Sequence, residues 1–318
     1  MKILVAGGAG FIGSHLCRRL IKDNHQVICV DNLITGTLDN IKDLFPNKNF
    51  SFIKHDVVKP IDPKIKIDAI FHLASPASPN HHSPLSYHHL PMETMLANTV
   101  GTLELLKLAE KYEAKFLFAS TSEIYGNPLV HPQKETYFGN VSPIGPRSVY
   151  DEAKRFGETI TAYFWRRRNL DARIARIFNT YGPNMRIEDK RMIINFIVSA
   201  LTGKPITIYG DGKQTRSLCY IDDMIEGLVR LMFYPKTKGQ VINLGASHEY
   251  TILEYAQLVK KIINSKSEII FSEKLPEDDP IKRKPDISKA KKLLRWMPTT
   301  SFEEGLRKTI NYFKNLIL

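Results

Sequence analysis

The chain has 318 residues, of which 43% are hydrophobic and 25% are charged, a composition typical of a folded globular protein rather than a disordered one. Its 45 lysines and arginines exceed its 33 aspartates and glutamates by 12, which favours anionic partners, either nucleic acid or an anionic small molecule. The sequence has no uninterrupted apolar stretch of about 20 residues, so it predicts no helix that spans a membrane.

The basic residues are spread along the chain, with short clusters such as "WRRRN" and "IKRKP" and no long basic tail. We interpret these clusters as solvated helix faces and expect no nucleic-acid partner. The first residues, "KILVA", are typical of a strand rather than of a cleavable leader, so we expect a cytoplasmic protein. Cys17, Cys29 and Cys219 form no metal-spaced pair and are expected to be reduced and structural.

Short apolar runs typical of buried strands alternate with segments of helical period through the first half of the chain. Ile12, Leu16 and Leu20 recur at four-residue spacing after the first run, and residues 92–112 predict one long amphipathic helix. This alternation predicts an α/β fold, a Rossmann-type doubly wound parallel sheet with helices on both faces. The predicted strands are 2–6, 26–30, 49–53, 68–74, 115–120 and 172–178.

After residue 179 the sequence becomes richer in turn residues, as in "TYGPN" and "KLPEDDPIKRKPD". We therefore predict two domains: residues 1–179, which form the main sheet, and residues 180–318, a smaller lobe that binds substrate. The run at 239–246 is typical of a buried strand, and a strand near 240–245 is expected to return to the main sheet. The two domains are thus expected to interleave.

A glycine fingerprint, "GGAGFIG", lies in the first predicted strand-to-helix turn. Gly7, Gly10 and Gly13 let the chain turn tightly and let bare backbone approach a pyrophosphate at the N-terminus of the helix. A tight turn alone is the alternative. Asp31 ends the second strand 31 − 10 = 21 residues after Gly10, where a carboxylate binds the adenosine ribose and would repel a 2′-phosphate. Residues 1–179 are therefore predicted to bind NAD rather than NADP.

Tyr150 and Lys154 are four residues apart in a segment of helical period, so both side chains leave the same face. Such pairs are common in helices, but here "STSEIYG" precedes the pair and a dinucleotide fingerprint opens the chain. An ordinary phenol has a pKa of about 10, and a nearby ammonium and the positive nicotinamide of NAD⁺ both favour the phenolate. Tyr150 is therefore a candidate general base.

Six motifs occur in order along the chain: "GGAGFIG", "HLAS", "STSEIYG", "YDEAK", "RIFNTYGP" and "YGDGKQTRSLCYIDD". Through them the chain resembles, over essentially its whole length, the extended short-chain dehydrogenase/reductase family. "HLASPASP" and "DDPIKRKPDISKAKKLL" are similar to the subgroup of that family that decarboxylates UDP-glucuronate. The resemblance implies an enzyme with NAD as cofactor and UDP-glucuronate as substrate, and a homodimer that pairs the helices at 92–112 and 148–168.

The resemblance also implies residue roles. Tyr150 would take the proton of the sugar C4 hydroxyl while a hydride leaves C4 for NAD⁺, and Lys154 would also hold the nicotinamide ribose. Thr121 would share the C4 oxygen by a hydrogen bond. The NAD contacts that the resemblance implies are Gly7, Gly10, Phe11, Ile12, Asp31, Asn32, Thr35, Gly36, Asp56, Val57, Leu73, Ser75, Ala119, Tyr150 and Lys154.

The chemistry of glucuronate favours decarboxylation once C4 is oxidised. The C4 ketone lies β to the C6 carboxylate, so CO₂ can leave without a metal, and protonation at C5 with reduction at C4 then gives UDP-xylose. The alternatives are a UDP-sugar 4-epimerase, an oxidative decarboxylase that releases a UDP-4-keto-pentose, and an NAD-binding protein without activity.

The tripeptide "TSE", Thr121 to Glu123, discriminates between these reactions. Related dehydratases have an aspartate at the Ser122 position, whereas decarboxylases have a carboxylate at the Glu123 position and an arginine at the Arg216 position. We expect Glu123 to position the sugar or a water near C5, and Arg216 to recognise an anion; a helix cap and a surface cation are the simpler alternatives. The resemblance places around the UDP moiety Asn179, Arg191, Tyr209, Gln214 and Arg216.

Residues 80–98 depart from the subgroup. Leu96 and Ala97 stand where related proteins usually have polar residues, which puts the substrate contacts there in doubt. The segment also contains four histidines, but no acidic or cysteine residue stands beside them, so we expect no metal. These histidines are His81, His82, His88 and His89.

Overall fold

A computed structural model describes residues 1–275 and 279–318, so residues 276–278 of the turn-rich segment predicted at 274–286 lie outside the described residues. The strands of the first half follow the predicted apolar runs with small shifts at their ends. In chain order the strands are β1 (Lys2–Ala6), β2 (Gln26–Asp31), β3 (Phe50–Lys54), β4 (Ala69–His72), β5 (Lys115–Thr121), β6 (Ala172–Ile177), β7 (Thr180–Tyr181), β8 (Ile206–Tyr209), β9 (Thr215–Arg216), β10 (Cys219–Tyr220), β11 (Val241–Leu244), β12 (Tyr250–Thr251), β13 (Ile269–Glu273) and β14 (Lys282–Arg283).

The helices cover the main sheet and build the smaller lobe. Among the described residues, none of the helices is both long enough and apolar enough to cross a membrane. A short 3₁₀ helix follows β5 at Ser122–Tyr125. The α-helices are α1 (Phe11–Lys22), α2 (Pro91–Asn98), α3 (Val100–Tyr112), α4 (Ser148–Arg167), α5 (Met192–Leu201), α6 (Ile221–Phe233), α7 (Ile252–Ile263), α8 (Ser288–Leu294) and α9 (Phe302–Ile317).

Seven strands form one parallel sheet in the order β11-β6-β5-β4-β1-β2-β3. This confirms the predicted doubly wound fold. The strand order reverses between β1 and β4, so the loops that follow these strands separate and leave a cleft at the carboxyl edge of the sheet. β11 lies beside β6 in this sheet, which links residues 180–318 to the first half. The division of the chain at residue 179 stays a prediction.

Both faces of the sheet are buried. Along β1, Ile3 and Val5 point into one apolar core while Leu4 and Ala6 point into the other, and none of the four is exposed to solvent. This is the pattern of a parallel strand covered on both sides. The three cysteines are free and buried, which confirms their expected structural role.

The segment at 92–112 forms two helices rather than the one predicted helix. α2 ends at Asn98 and α3 begins at Val100, with Thr99 at φ −110° and ψ −75° between them. The hydroxyl of Thr99 donates to the carbonyl of Met95 at 2.8 Å, and that of Thr102 donates to the carbonyl of Asn98 at 2.7 Å. Hydroxyl groups that bond to carbonyls in this way bend helices, which periodicity alone does not reveal.

The small strands beside the sheet bring two arginines together. β9 pairs with β14 in parallel, and this register places Arg216 opposite Arg283. β9 also pairs with β12, while β7 pairs with β10 and β8 with β13. These pairs hold the smaller lobe against the carboxyl edge, where the cleft opens.

Gly157 lets α4 pack closely against β5 and α2, and this packing can be tested. A Cβ atom at Gly157 would lie 2.4 Å from Cζ of Phe118 and 2.9 Å from the carbonyl oxygen of Asn98. Because Phe118 is fully buried and the Asn98 oxygen belongs to the helix backbone, we expect Gly157→Ala to lower the free energy of unfolding by about 1–3 kcal/mol. Urea unfolding measures this change.

The control for this experiment is Thr159→Ala, on the exposed side of the same helix. It should change the free energy of unfolding by no more than about 0.5 kcal/mol. Equal stabilities of the two variants would show that α4 is not constrained at Gly157.

Candidate active site

The turn from β1 to α1 forms a cradle of bare backbone. Gly7 has φ +80°, and a Cβ atom there would lie 2.6 Å from the backbone nitrogen of Ala74. A Cβ atom at Gly13 would lie 2.1 Å from the carbonyl oxygen of Gly7. Among the described residues, no side chain caps α1, and its first turn contains no acidic residue. The helix N-terminus therefore keeps N–H groups for an anion, as a pyrophosphate requires.

Asp31 lies beside this cradle at the end of β2. Its carboxylate is 7% exposed and accepts hydrogen bonds from the backbone nitrogens of Ala9 at 3.0 Å and Leu33 at 2.8 Å. Burial raises the pKa of this carboxyl, while the two N–H groups partly oppose the increase. Gly36 lies against Asp31, because a Cβ atom there would be 2.9 Å from Oδ2.

One cleft brings together most of the residues that the sequence suggests for NAD. It has a volume of about 330 Å³ and runs along the carboxyl edge of the sheet from the glycine turn to α4. Gly36 is not among the described residues that line the cleft, but it packs against the side chain of Asp31, which does. The suggested NAD residues that line the cleft are Gly7, Gly10, Phe11, Ile12, Asp31, Asn32, Thr35, Asp56, Val57, Leu73, Ser75, Ala119, Tyr150 and Lys154. Glycine cradle, ribose carboxylate and cleft together fit a dinucleotide.

Tyr150, Lys154 and Thr121 lie at the inner end of this cleft, each less than 10% exposed. The Nζ atom of Lys154 donates to the carbonyl of Ala119 at 2.7 Å and lies 5.7 Å from the centre of the Tyr150 ring. Tyr150 and Lys154 project from α4, whereas Thr121 is the last residue of β5. Helix and strand thus place a phenol, an amine and a hydroxyl around one point.

Burial controls the protonation of these groups in the protein alone. It raises the pKa of Tyr150 to about 12, although a hydrogen bond with Thr121 acts in the opposite direction. Burial also lowers the pKa of Lys154 to about 7, against the attraction of Glu158. In the protein alone desolvation outweighs any effect of Lys154 on the pKa of Tyr150, so the expected phenolate depends on the positive nicotinamide as well.

Glu123 lies between two buried arginines. Its carboxylate accepts a hydrogen bond from Arg147 at 2.5 Å and another from Arg283, and both arginines are at most 5% exposed. Burial by itself would raise the pKa of Glu123, but the two guanidinium groups lower it to about 2. The carboxylate is thus ionised at neutral pH and is paired with arginines rather than with a helix terminus.

Arg216 belongs to the same cluster. It is 9% exposed and binds Asp279 at 2.8 Å, so the surface-cation alternative is wrong. Asp279 also lies 3.4 Å from Arg147. Burial lowers the pKa of Arg216, with Asp279 opposing this change.

Sequence reasoning missed Arg147 and Arg283. Arg283 belongs to "IKRKP", and the interpretation of that cluster as a solvated face is wrong for this residue, which is 3% exposed. Arg283 is buried because β14 pairs with β9, which places it opposite Arg216. Arg147 lies three positions before Tyr150, in "GPRSVY", and this closeness to the candidate base was the available signal. Sequence composition alone cannot distinguish it from a surface arginine.

The cluster forms part of the wall of a second cavity, which has a volume of about 420 Å³. The two cavities share Glu123, Asn179 and Arg191 among their lining residues. Arg191 donates to the carbonyl of Ala77 at 2.8 Å, and the Gln214 amide donates to the carbonyl of Tyr209 at 2.8 Å. All the residues that the sequence suggests for UDP line the second cavity: Asn179, Arg191, Tyr209, Gln214 and Arg216.

The histidine-containing segment forms a wall of both cavities. His81 and His82 line the second cavity, with ring centres 4.0 Å apart, and Leu96 and Ala97 line the first. Tyr87 of this segment stacks on Tyr150, with ring centres 4.9 Å apart and planes 8° apart. Among the described residues, no group of three potential ligand side chains could hold a metal ion.

The sequence and the fold can be compared with known proteins. The model of the GDP-mannose 4,6 dehydratase family matches residues 4–309. UDP-glucuronic acid decarboxylase 1 of Danio rerio is 49% identical over 314 residues, 98% of this chain and 72% of that protein. UDP-glucuronic acid decarboxylase 6 of Arabidopsis thaliana is 49% identical over 307 residues, 96% of this chain and 87% of that protein.

Solved structures of similar fold include nucleotide-sugar epimerases. The UDP-glucuronic acid 4-epimerase of Bacillus cereus, in complex with UDP-glucuronic acid and NAD, superposes with a TM-score of 0.88 at 33% identity, covering 99% of this chain and 100% of that one. The UDP-glucose 4-epimerase of Thermotoga maritima, with UDP-glucose, gives a TM-score of 0.89 at 32% identity over 100% of both chains. The chain therefore belongs to the GDP-mannose 4,6-dehydratase family of NAD-dependent epimerases and dehydratases, the extended short-chain dehydrogenases that its motifs indicate.

Proposed function

We propose that this protein decarboxylates UDP-glucuronate to UDP-xylose. Relatives that are 49% identical over 96% or more of the chain carry the name UDP-glucuronic acid decarboxylase. The observation that carries the proposal is the ionised carboxylate of Glu123, held by Arg147 and Arg283 at the point where the two cavities meet. A dinucleotide in the first cavity and a nucleotide sugar in the second would meet beside this carboxylate.

NAD is the cofactor, and when bound it supplies the hydride acceptor for C4 and later the hydride donor. The glycine cradle with Phe11 and Ile12, which line the cleft, would hold its pyrophosphate, and Asp31 would hold the adenosine ribose. Lys154, at the other end of the cleft, would hold the nicotinamide ribose.

Tyr150 removes the proton of the C4 hydroxyl, and Thr121 shares the C4 oxygen. Because burial keeps Tyr150 protonated in the protein alone, it acts as a base only in the filled site, where positive charge lies beside it. A proton held by Tyr150 is then available for return to the C4 oxygen at the end of the cycle.

The C4 ketone then accepts the electrons of the C5–C6 bond as CO₂ leaves, which gives an enolate. Glu123 has a pKa of about 2, so it does not donate a proton at neutral pH. It instead accepts a hydrogen bond from the sugar or from the water that protonates C5. Ser122, also in the cleft, lacks the acidity needed to expel a hydroxyl as dehydratases do.

The second cavity binds the UDP moiety. Arg191 offers charge-assisted hydrogen bonds to the diphosphate. Arg216, in the wall formed with Asp279, recognises negative charge on the sugar. Asn179, Tyr209 and Gln214 complete the contacts, and the buried Oε1 of Gln214, which has no partner among the described residues, is free to accept a hydrogen bond from the ligand.

We further propose that the protein is a cytoplasmic homodimer. Large apolar side chains are exposed on α2 and α4: Met92 by 55%, Phe156 by 52% and Tyr163 by 53%. A second copy would cover them if these helices paired between subunits. The three free thiols suit a reducing compartment.

The proposed reaction is tested by mixing the purified protein with UDP-glucuronate and NAD⁺ and following CO₂, NADH and the mass of the sugar nucleotide. We expect UDP-xylose without stoichiometric NADH. A 4-keto pentose with NADH would indicate an oxidative decarboxylase, and an unchanged mass with altered stereochemistry an epimerase. Either result, or no reaction, contradicts the proposal.

Replacing Tyr150 by Phe removes the hydroxyl and keeps the ring that stacks on Tyr87. We expect Tyr150→Phe to lower kcat by about 10²–10⁴-fold, the usual contribution of a general base. Circular dichroism and NAD⁺ binding should match the unchanged protein. Full activity of this variant would exclude Tyr150 as the base.

Replacing Glu123 by Gln removes the charge and keeps the size of the side chain. We expect Glu123→Gln to lower CO₂ release by at least about 10²-fold, because the carboxylate no longer orients the sugar or water, while the affinity for NAD⁺ is retained. Glu303→Gln, at an exposed ion pair on α9, is the matched control. Unchanged CO₂ release by the Glu123 variant would refute the assignment.

A further inference from the structure

Asp151 is a buried carboxyl that the proposed mechanism does not use. It follows Tyr150 in α4, is 4% exposed, and its Oδ1 atom has no hydrogen-bond partner among the described residues. It lines neither cavity within the described residues. A carboxyl in such a position normally costs stability, so its presence behind the site calls for a function.

The neighbours of Asp151 are the charged groups of the active site. Asp151 lies one helical turn after Arg147, and its backbone N–H donates to the carbonyl of Arg147 at 3.0 Å. The charges of Glu123, Arg147 and Arg283 act most strongly on its carboxyl, followed by Glu152 of the same helix. Tyr87, which stacks on Tyr150, also lies within reach of its charge. Asp151 therefore belongs to the cluster around Glu123, although it makes none of the ion pairs there.

The cluster without Asp151 has one positive charge in excess. Three buried arginines, Arg147, Arg216 and Arg283, face two carboxylates, Glu123 and Asp279. Three positive and two negative charges leave 3 − 2 = +1. A third carboxylate would bring the sum to zero, so the protonation of Asp151 decides whether the cluster is cationic or neutral.

Burial and then the charge of Glu123 raise the pKa of Asp151 to about 8, against the attraction of Arg147 and Arg283. Arg147 and Arg283 already form ion pairs with Glu123. Their positive charges therefore act on Asp151 without a direct hydrogen bond to its carboxyl. Below pH 8 the carboxyl is neutral and the cluster keeps its positive charge. Above that pH the carboxyl ionises and the excess disappears.

We propose that Asp151 sets the charge of the Arg147–Arg216–Arg283 cluster and thereby controls how tightly the site holds the acidic sugar of its substrate. This inference rests on the proposed function only in taking UDP-glucuronate as the ligand. Asp151 is a positioning residue, since it acts through the arginines and does not line the substrate cavity. The substrate then binds more tightly when the Asp151 carboxyl is protonated. By linkage, bound substrate favours protonation of Asp151 by the same free energy.

The kinetic test compares Asp151→Asn with the unchanged protein. In the unchanged protein, the KM for UDP-glucuronate should rise about tenfold as the pH is raised from well below to well above 8, the size expected for one unit charge at a separation of about 12 Å and an effective dielectric constant of about 20. Asp151→Asn is neutral at every pH, so its KM should rise less. Lys154, with a pKa of about 7, titrates in both proteins and contributes the same change to each. Glu152→Gln, which removes the adjacent carboxylate, should behave like the unchanged protein.

Thermal unfolding gives a second measurement that needs no activity. The pKa of Asp151 is raised in the folded state above the value of about 3.9 for an unfolded chain, so the folded state holds the extra proton and stability falls as the pH rises between these values. Asp151→Asn should remove this fall and have the higher midpoint near pH 8.

Two results would overturn the proposal: a KM that rises with pH as steeply in Asp151→Asn as in the unchanged protein, or a lower unfolding midpoint of that variant near pH 8, which would mean that the carboxylate is ion-paired. If the unchanged protein releases no CO₂ from UDP-glucuronate, the proposed function fails instead, and the unfolding measurement still decides the state of Asp151.

Discussion

The carboxylate of Glu123 lies between the guanidinium groups of Arg147 and Arg283, and this buried contact joins three distant parts of the chain. Glu123 follows β5 of the main sheet, Arg147 precedes α4, and Arg283 lies in β14 of the smaller lobe. Removing one partner of such a buried ion pair leaves an uncompensated charge, at a cost of about 3–5 kcal/mol. The main sheet, α4 and β14 are therefore held together at the point where the two cavities meet.

The rest of the site depends on how close the backbone comes to this point. The glycine turn lets α1 begin against the sheet, and Gly157 lets α4 approach β5 closely. Because α4 lies so close, the Nζ atom of Lys154 reaches the carbonyl of Ala119. The sheet order, which reverses between β1 and β4, places all these contacts at one edge. Small residues at a few positions thus determine where the chemical groups meet.

The sequence predicts the parts of this site that follow from local pattern. The spacing of Gly7, Gly10 and Asp31 defines a dinucleotide cradle, and the four-residue spacing of Tyr150 and Lys154 puts both on one helix face. The family resemblance identifies Glu123 and Arg216 but not what holds them.

Arg147 and Arg283 could not be found from local pattern. Arg283 is 160 residues from Glu123 along the chain, and only the pairing of β14 with β9 shows that it is buried. The break between α2 and α3 was missed for a related reason. It arises from hydroxyl groups that bond to helix carbonyls, and hydrophobic periodicity carries no information about such bonds.

Two carboxyls in one cluster have opposite protonation states, and the geometry explains why. Glu123 binds both Arg147 and Arg283 directly, and its pKa falls to about 2. Asp151 forms no ion pair with any residue that the structure describes, and its pKa rises to about 8. Paired titratable groups whose environments separate their pKa values are typical of sites that handle charge. Here the ionised Glu123 can orient the sugar or a water. The neutral Asp151 leaves the positive charge of the arginines available to the acidic sugar. A site built only for rigidity would need neither the third arginine nor the unpaired carboxyl, since two arginines and two carboxylates already balance.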